Sequence, residues 1–160
     1  MREFEVVANQ PTTWPTMTDP ARVVTQFLSH VRVTADASAA QRLMHETVRC
    51  HQVVAERPHT VLRTPHDYAE HVRHMQELFG AFTYHVTELL TDADHVYVRW
   101  RQRGHHLRNE DGTPGTGAPI QEVGSAVYRV EDGRIAEYWV QLDRLGLATQ
   151  LQQSRLAGRA

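Results

Sequence analysis

Gln121–Leu147 reads Q-E-V-G-S-A-V-Y-R-V-E-D-G-R-I-A-E-Y-W-V-Q-L-D-R-L-G-L, and at its centre Asp132-Gly133 links two β-rich runs. A two-residue Asp-Gly link is a strong hairpin signal, because both turn positions need φ > 0. If Glu131 and Arg134 flank the turn, regular pairing sets Val130 opposite Ile135, Tyr128 opposite Glu137 and Ala126 opposite Trp139. It also sets Gly124 opposite Gln141 and Glu122 opposite Asp143. Directly paired residues share a face. That face starts apolar at the turn and ends in Glu122, Gln141 and Asp143 around Trp139, as a pocket floor would.

Upstream, Asp19-Pro20 is a helix start, with Asp as N-cap and Pro in the first helical position. Val23, Val24, Phe27, Leu28 and Val31 then form an amphipathic stripe. A short helix is expected over Ser38–His45, a strand over Thr47–Val54 and a loop over Glu56–Thr64. Thr64-Pro65 opens a third helix, which carries Tyr68, Val72, Met75, Phe79 and Phe82 and ends near Gly80. Strands are expected at Phe82–Leu90, His95–His106, Ile120–Val130 and Arg134–Leu142, and a last helix at Arg144–Leu151. Helices followed by long antiparallel strands mean an α+β fold with helices covering one side of a curved sheet. Residues 1–19 show no period and read as a flexible arm before a single domain, 20–155.

The chain has 160 residues, enough for one domain burying roughly two thirds of its unfolded surface. With 41% hydrophobic and 22% charged residues it has the composition of a soluble globule. A net charge of −2 argues against nucleic acid as a partner. Arg99, Arg101 and Arg103 line one strand edge, a solvated or subunit-facing side rather than a phosphate site. No run approaches the roughly 20 apolar residues of a membrane span. The lone Cys50 excludes an intramolecular disulfide, fits a reducing compartment and sits among valines as a small hydrophobe. No basic-then-apolar leader is present, so a cytoplasmic protein is expected.

The run G-x-x-x-Y-R-x-x-D-G-R-I-x-E-x-W-x-x-x-D-x-L-G-L-x-x-Q-L, from Gly124 to Leu151, resembles the C-terminal signature of the SnoaL-like polyketide cyclases, within the nuclear-transport-factor-2-like superfamily. The likeness extends through Trp100-x-x-x-Gly104-x-His106 and Pro114-Gly115-Thr116-Gly117, and more weakly back to about Pro20. It implies a cone-shaped barrel: a curved, mostly antiparallel sheet wrapped around N-terminal helices. It also implies a cavity for a hydrophobic small molecule. The hairpin motif marks the superfamily far better than any one reaction.

Eleven histidines invite a metal reading, but only His71-x-x-His74 and His105-His106 are close pairs. Zinc sites need about three or four converging ligands, and no third is placed by spacing. No metal and no cofactor is expected. On the strand His95–His106, alternation turns Val96, Val98, Trp100, Gln102, Gly104 and His106 inward and the arginines outward. His106 is thus a candidate catalytic residue, or else a strand-end histidine bonded to its loop. The resemblance makes Asp143, four residues after Trp139, the general acid/base; by position alone it is a helix N-cap. Glu122 across from it would raise one of the two pKa values, which suits proton transfer. Trp100, Trp139, Gln141, Tyr128, His51, Tyr68, Phe79 and Phe82 are expected to bind substrate, while Glu137 is left between Arg134 and the cavity.

Three functions follow. The first is a cofactor-free cyclase or isomerase of a polyketide-like intermediate. The others are an epoxide hydrolase or hydroxylase on the same fold, and a non-catalytic small-molecule-binding domain. Both sheet faces near the hairpin are apolar while only one can line the cavity, so a homodimer is expected.

Overall fold

The computed structural model describes residues 4–6 and 19–157. In chain order the elements are β1 (Phe4–Val6), α1 (Pro20–Phe27), a π-helical turn (Leu28–Arg32), α2 (Ala37–Leu43), β2 (Met44–Gln52) and β3 (His59–Arg63). Then come α3 (Pro65–Phe79), β4 (Thr83–Asp92), β5 (His95–His105), β6 (Pro119–Glu131), β7 (Arg134–Leu142) and α4 (Arg144–Ala157). One sheet runs β1-β4-β5-β6-β7-β2-β3, antiparallel except where β2 lies beside β7. The fold is α+β, a curved sheet around helices.

Local chemistry sets the helix starts. The Asp19 carboxylate accepts the Ala21 N–H at 3.0 Å, Asp36 accepts those of Ser38 and Ala39, and Thr64 with Asp67 closes a capping box. Val23, Val24, Phe27, Leu28 and Val31 are fully buried against the sheet. Past Phe27 the helix widens, and the Val33 N–H reaches the Leu28 carbonyl. This shifts the phase so that Arg32 turns into the core beside Val31.

The turn adopts the expected form, with φ of 50° at Asp132 and 71° at Gly133, and Glu131 pairs with Arg134. The expected register fails immediately beyond it. Val130 pairs with Ile135, but Arg129 pairs with Glu137, so Ala136 is a bulge residue. One inserted residue reverses the face of everything after it. Tyr138, Val140 and Leu142 therefore join the core, while Glu137, Trp139 and Gln141 point outward. The physical reason is that Ile135 and Tyr138 stand an odd number of residues apart, so both can be buried only if the strand bulges between them.

Other expectations shift less. Phe4–Val6 is not a free arm but a strand on β4; residues 1–3 and 7–18 of that arm lie outside the described residues. His59–Arg63, read as loop, is a strand paired with β2. Phe82 lies beyond the end of α3, buried at the approach to β4. The inward and outward sets of β5 are as alternation requires.

Candidate functional site

A polar row crosses the inward wall of the sheet. Tyr84 on β4, Gln102 on β5 and Glu122 on β6 are directly opposite one another in turn, and all three are buried. Gln102 Oε1 accepts a hydrogen bond from Arg32 Nη2 at 2.6 Å. The Arg32 guanidinium lies over the rings of Phe82 and Tyr84, 5.1 and 5.4 Å from their centroids, a cation–π arrangement on both. Trp100 stacks on Tyr84 at 5.5 Å.

This row is under-satisfied. Glu122 Oε1, Arg32 Nη1, Tyr84 Oη and Trp100 Nε1 have no hydrogen-bond partner among the described residues. Each such buried atom costs on the order of 1–3 kcal/mol, so a wall that keeps several is better explained by a ligand than by packing. Burial pushes the Glu122 carboxyl above its ordinary pKa, with the charge of Arg32 opposing part of that rise. Burial also pushes the phenols of Tyr84 and Tyr128 upward, leaving them neutral donors.

His106 is buried at the end of β5, as alternation predicts, while His105 is exposed. Its Nε2–H donates to Asn109 Oδ1 at 3.1 Å and its Nδ1 accepts the Thr116 N–H at 3.2 Å. Arg155 of α4 donates to the same Asn109 oxygen. His106 thus fastens the loop after β5 and, through it, helix α4. Beside it is a groove of about 670 Å³ lined by the apolar Leu78, Phe79, Leu147 and Leu151 and by the polar and charged residues Arg108, Asn109, Glu110, Asp111 and Arg155; Glu122 does not line it. Glu122, paired with Gln102, is two residue pairs deeper than Gly104–Ile120 in the β5–β6 ladder. A side chain at Gly104 would meet the Phe79 carbonyl oxygen at 2.5 Å. The close approach that this glycine permits is therefore made by the end of α3, which packs between Gln102 and His106.

Asp143 stands elsewhere. Its backbone N–H bonds the Val123 carbonyl, its carboxylate accepts the Gly146 N–H at 2.8 Å, and it is exposed. It caps α4 and does not face Glu122. Trp139 and Gln141 lie on the outer face with it, because of the bulge at Ala136. There Trp139 stacks on His51 at 5.0 Å and on His95 at 6.0 Å, so His51 is also an outer-face residue. His51 Nε2–H donates to Glu137 at 2.7 Å, and Arg49 and Arg129 bond the same carboxylate. Glu137 is consumed by this cluster rather than by the interior or Arg134. Burial acts to raise its pKa, but Arg49, His51 and Arg129 prevail and hold it down at about 2.

Of the other expected residues, Trp100 and Phe82 belong to the polar row's surroundings. Tyr68 and Tyr128 both pack edge-on or tilted against Phe27 in the core. Arg32, Gln102 and Tyr84 were not anticipated as site residues. The available signals were an arginine ending an apolar stripe and a glutamine on an inward strand face. Among the described residues no three His, Cys, Asp or Glu side chains converge as a metal site, and no helix is long and apolar enough to cross a membrane.

The family model for SnoaL-like polyketide cyclases matches residues 22–151. The chain belongs to that family. Curated protein sequences contain no match. A protein named as a polyketide cyclase from Acidithiobacillus ferrooxidans shares the fold with a TM-score of 0.73 at 24% identity, over 88% of this chain and 99% of that one. IdmH of Streptomyces antibioticus, also named as a polyketide cyclase, gives 0.70 at 25% identity over 84% and 99%. An LEH-like epoxide hydrolase of M. tuberculosis gives 0.63 at 20% identity over 89% and 96%. The SnoaL-like fold thus spans neighbours of more than one chemistry.

Proposed function

We propose that this SnoaL-like protein is a cofactor-independent cyclase or isomerase. Its substrate is a hydrophobic, polyketide-like intermediate of secondary metabolism, transformed in the cytoplasm. The observation that supports this reading best is Glu122: a buried carboxyl with an unpaired oxygen and a raised pKa, on the inward wall of the sheet. A group tuned upward in this way suits removal of a proton next to a carbonyl and its return after ring closure. Gln102 beside it and the neutral phenol of Tyr84 one strand further along the row are the donors to developing charge on oxygen. His106 holds the loop after β5 and, through Asn109, helix α4 beside this end of the sheet.

The test is hydrogen–deuterium exchange at the carbon between the carbonyls of a polyketide-like 1,3-diketone in heavy water, read by NMR. Glu122→Gln keeps the shape and removes the base, so exchange falls roughly 100-fold or more. The melting temperature holds or rises, because a costly buried carboxyl is gone. Normal exchange in a folded Glu122→Gln protein rejects the assignment.

Epoxide opening is a second reading, favoured by a buried carboxyl on the sheet and a buried guanidinium on the helical side of the same core. Glu122 would then activate water, and a simple epoxide would give a diol where the diketone shows no exchange.

A further inference from the structure

We infer that Arg32 is the anchor for a negatively charged substrate oxygen, so that the preferred substrate is a 1,3-dicarbonyl bound as its enolate. This rests on the acid/base reading of Glu122 and names the substrate class for the same wall.

Arg32 is a buried arginine on the helical side of the core. It is delivered there by a π-helical turn, a rare element that is frequent at functional sites. Of its two terminal nitrogens, Nη2 is used by Gln102 and Nη1 has no partner among the described residues. Phe82 and Tyr84 present their ring faces to the guanidinium carbon, and neither supplies Nη1 with an oxygen or nitrogen acceptor. If its purpose were to stabilise the fold, a buried guanidinium would have its donors filled, because exchanging buried charges for apolar residues is often neutral or stabilising. The free donor therefore points to an acceptor that arrives with the substrate. A planar fork suits an enolate or carboxylate oxygen, which takes a short charge-assisted hydrogen bond.

The step balances simply. The Glu122 carboxylate takes the proton from the carbon between two carbonyls, and the C–H electron pair moves onto oxygen. That oxygen, now anionic, accepts the Arg32 Nη1–H. Ring closure spends the electron pair on a carbonyl carbon, and the Glu122 proton passes to the alkoxide formed.

Acetylacetone serves as the probe, because its enolate has its own ultraviolet band and binding is read without turnover. The chain contains no lysine, so no side-chain amine can capture the probe as a Schiff base. At alkaline pH, where the probe is already ionised, the wild-type protein binds the enolate. Arg32→Met weakens that binding by about 10- to 100-fold, the loss expected for one hydrogen bond to a charged group. Binding of 2-pentanone, a neutral ketone of similar size, stays the same in both proteins. Glu122→Gln loses α-proton exchange and keeps binding of the preformed enolate.

Arg32→Lys is the second variant in case Arg32→Met does not fold. It keeps the charge without the fork and binds the enolate with an intermediate affinity. Absence of enolate binding by the wild type, or equal binding by the Arg32 variants, overturns the proposal. Full exchange in Glu122→Gln together with lost binding in Arg32→Met overturns the acid/base reading and leaves the anchor standing.

Discussion

Glu137→Gln tests whether the outer-face cluster staples the parallel join between β2 and β7. The carboxylate binds Arg49 through both oxygens at 3.0 Å, Arg129 at 3.0 Å and His51 at 2.7 Å. The three limbs differ in worth. The Arg49 side chain is 56% exposed, so its limb contributes at most about 1 kcal/mol. The Arg129 and His51 side chains are 22% and 25% exposed, and hydrogen bonds to charged groups there approach the usual range of about 1.5–3 kcal/mol. Allowing for the acceptor that glutamine keeps, the loss is about 2–3 kcal/mol. For a domain of this size each kcal/mol moves Tm by about 2–4 °C, so Tm falls by roughly 4–12 °C.

The pH dependence gives a second reading of the same perturbation. A carboxylate with its folded pKa depressed to about 2, against an ordinary 4.5, stabilises the fold above the unfolded value. That contribution is lost as pH falls through the folded value. Thermal melts of wild type and Glu137→Gln should therefore differ most near neutrality and converge between about pH 4.5 and about pH 2. A Tm difference under about 1 °C at neutral pH, or one that does not shrink across the acid window, refutes the staple.

Asp143→Asn keeps most of the capping capacity, so it costs at most about 1 kcal/mol and leaves turnover near normal. A large loss of turnover in a folded protein would return the acid/base role to this residue. Gly104→Ala drives a methyl into the Phe79 carbonyl and lowers stability by about 1–3 kcal/mol, seen as a reduced midpoint in urea. Light scattering is expected to give a homodimer, because Trp139, Val127 and Tyr97 place aromatic and apolar surface on the outer face. A monomer mass at micromolar concentration counts against that.

Much of this molecule follows from local chemistry alone. Asp19-Pro20 and Thr64-Pro65 start their helices through hydrogen bonds within three residues, and Asp132-Gly133 makes its turn from its own φ preferences. Strict alternation from Val96 to Gly104 puts Trp100 and Gln102 inside without reference to any partner strand. His106 follows them inward for the same reason.

The candidate site was legible only in part. Glu122 and His106 were visible as inward polar residues, whereas the faces of Trp139, Gln141 and Asp143 depended on one bulge. Whether Ala136 pairs or is skipped is not a property of the hairpin by itself. It depends on the core having room for both Ile135 and Tyr138 and on Arg49, His51 and Arg129 waiting outside for Glu137. Arg32 is the extreme case: a basic residue at the end of an amphipathic helix reads as solvent-facing. Only the π-helical turn, the two rings that cover it and a glutamine seventy positions away bring its charge inside. Short-range hydrogen bonding wrote the elements, and long-range burial of charge and bulk chose which side chains meet in the interior.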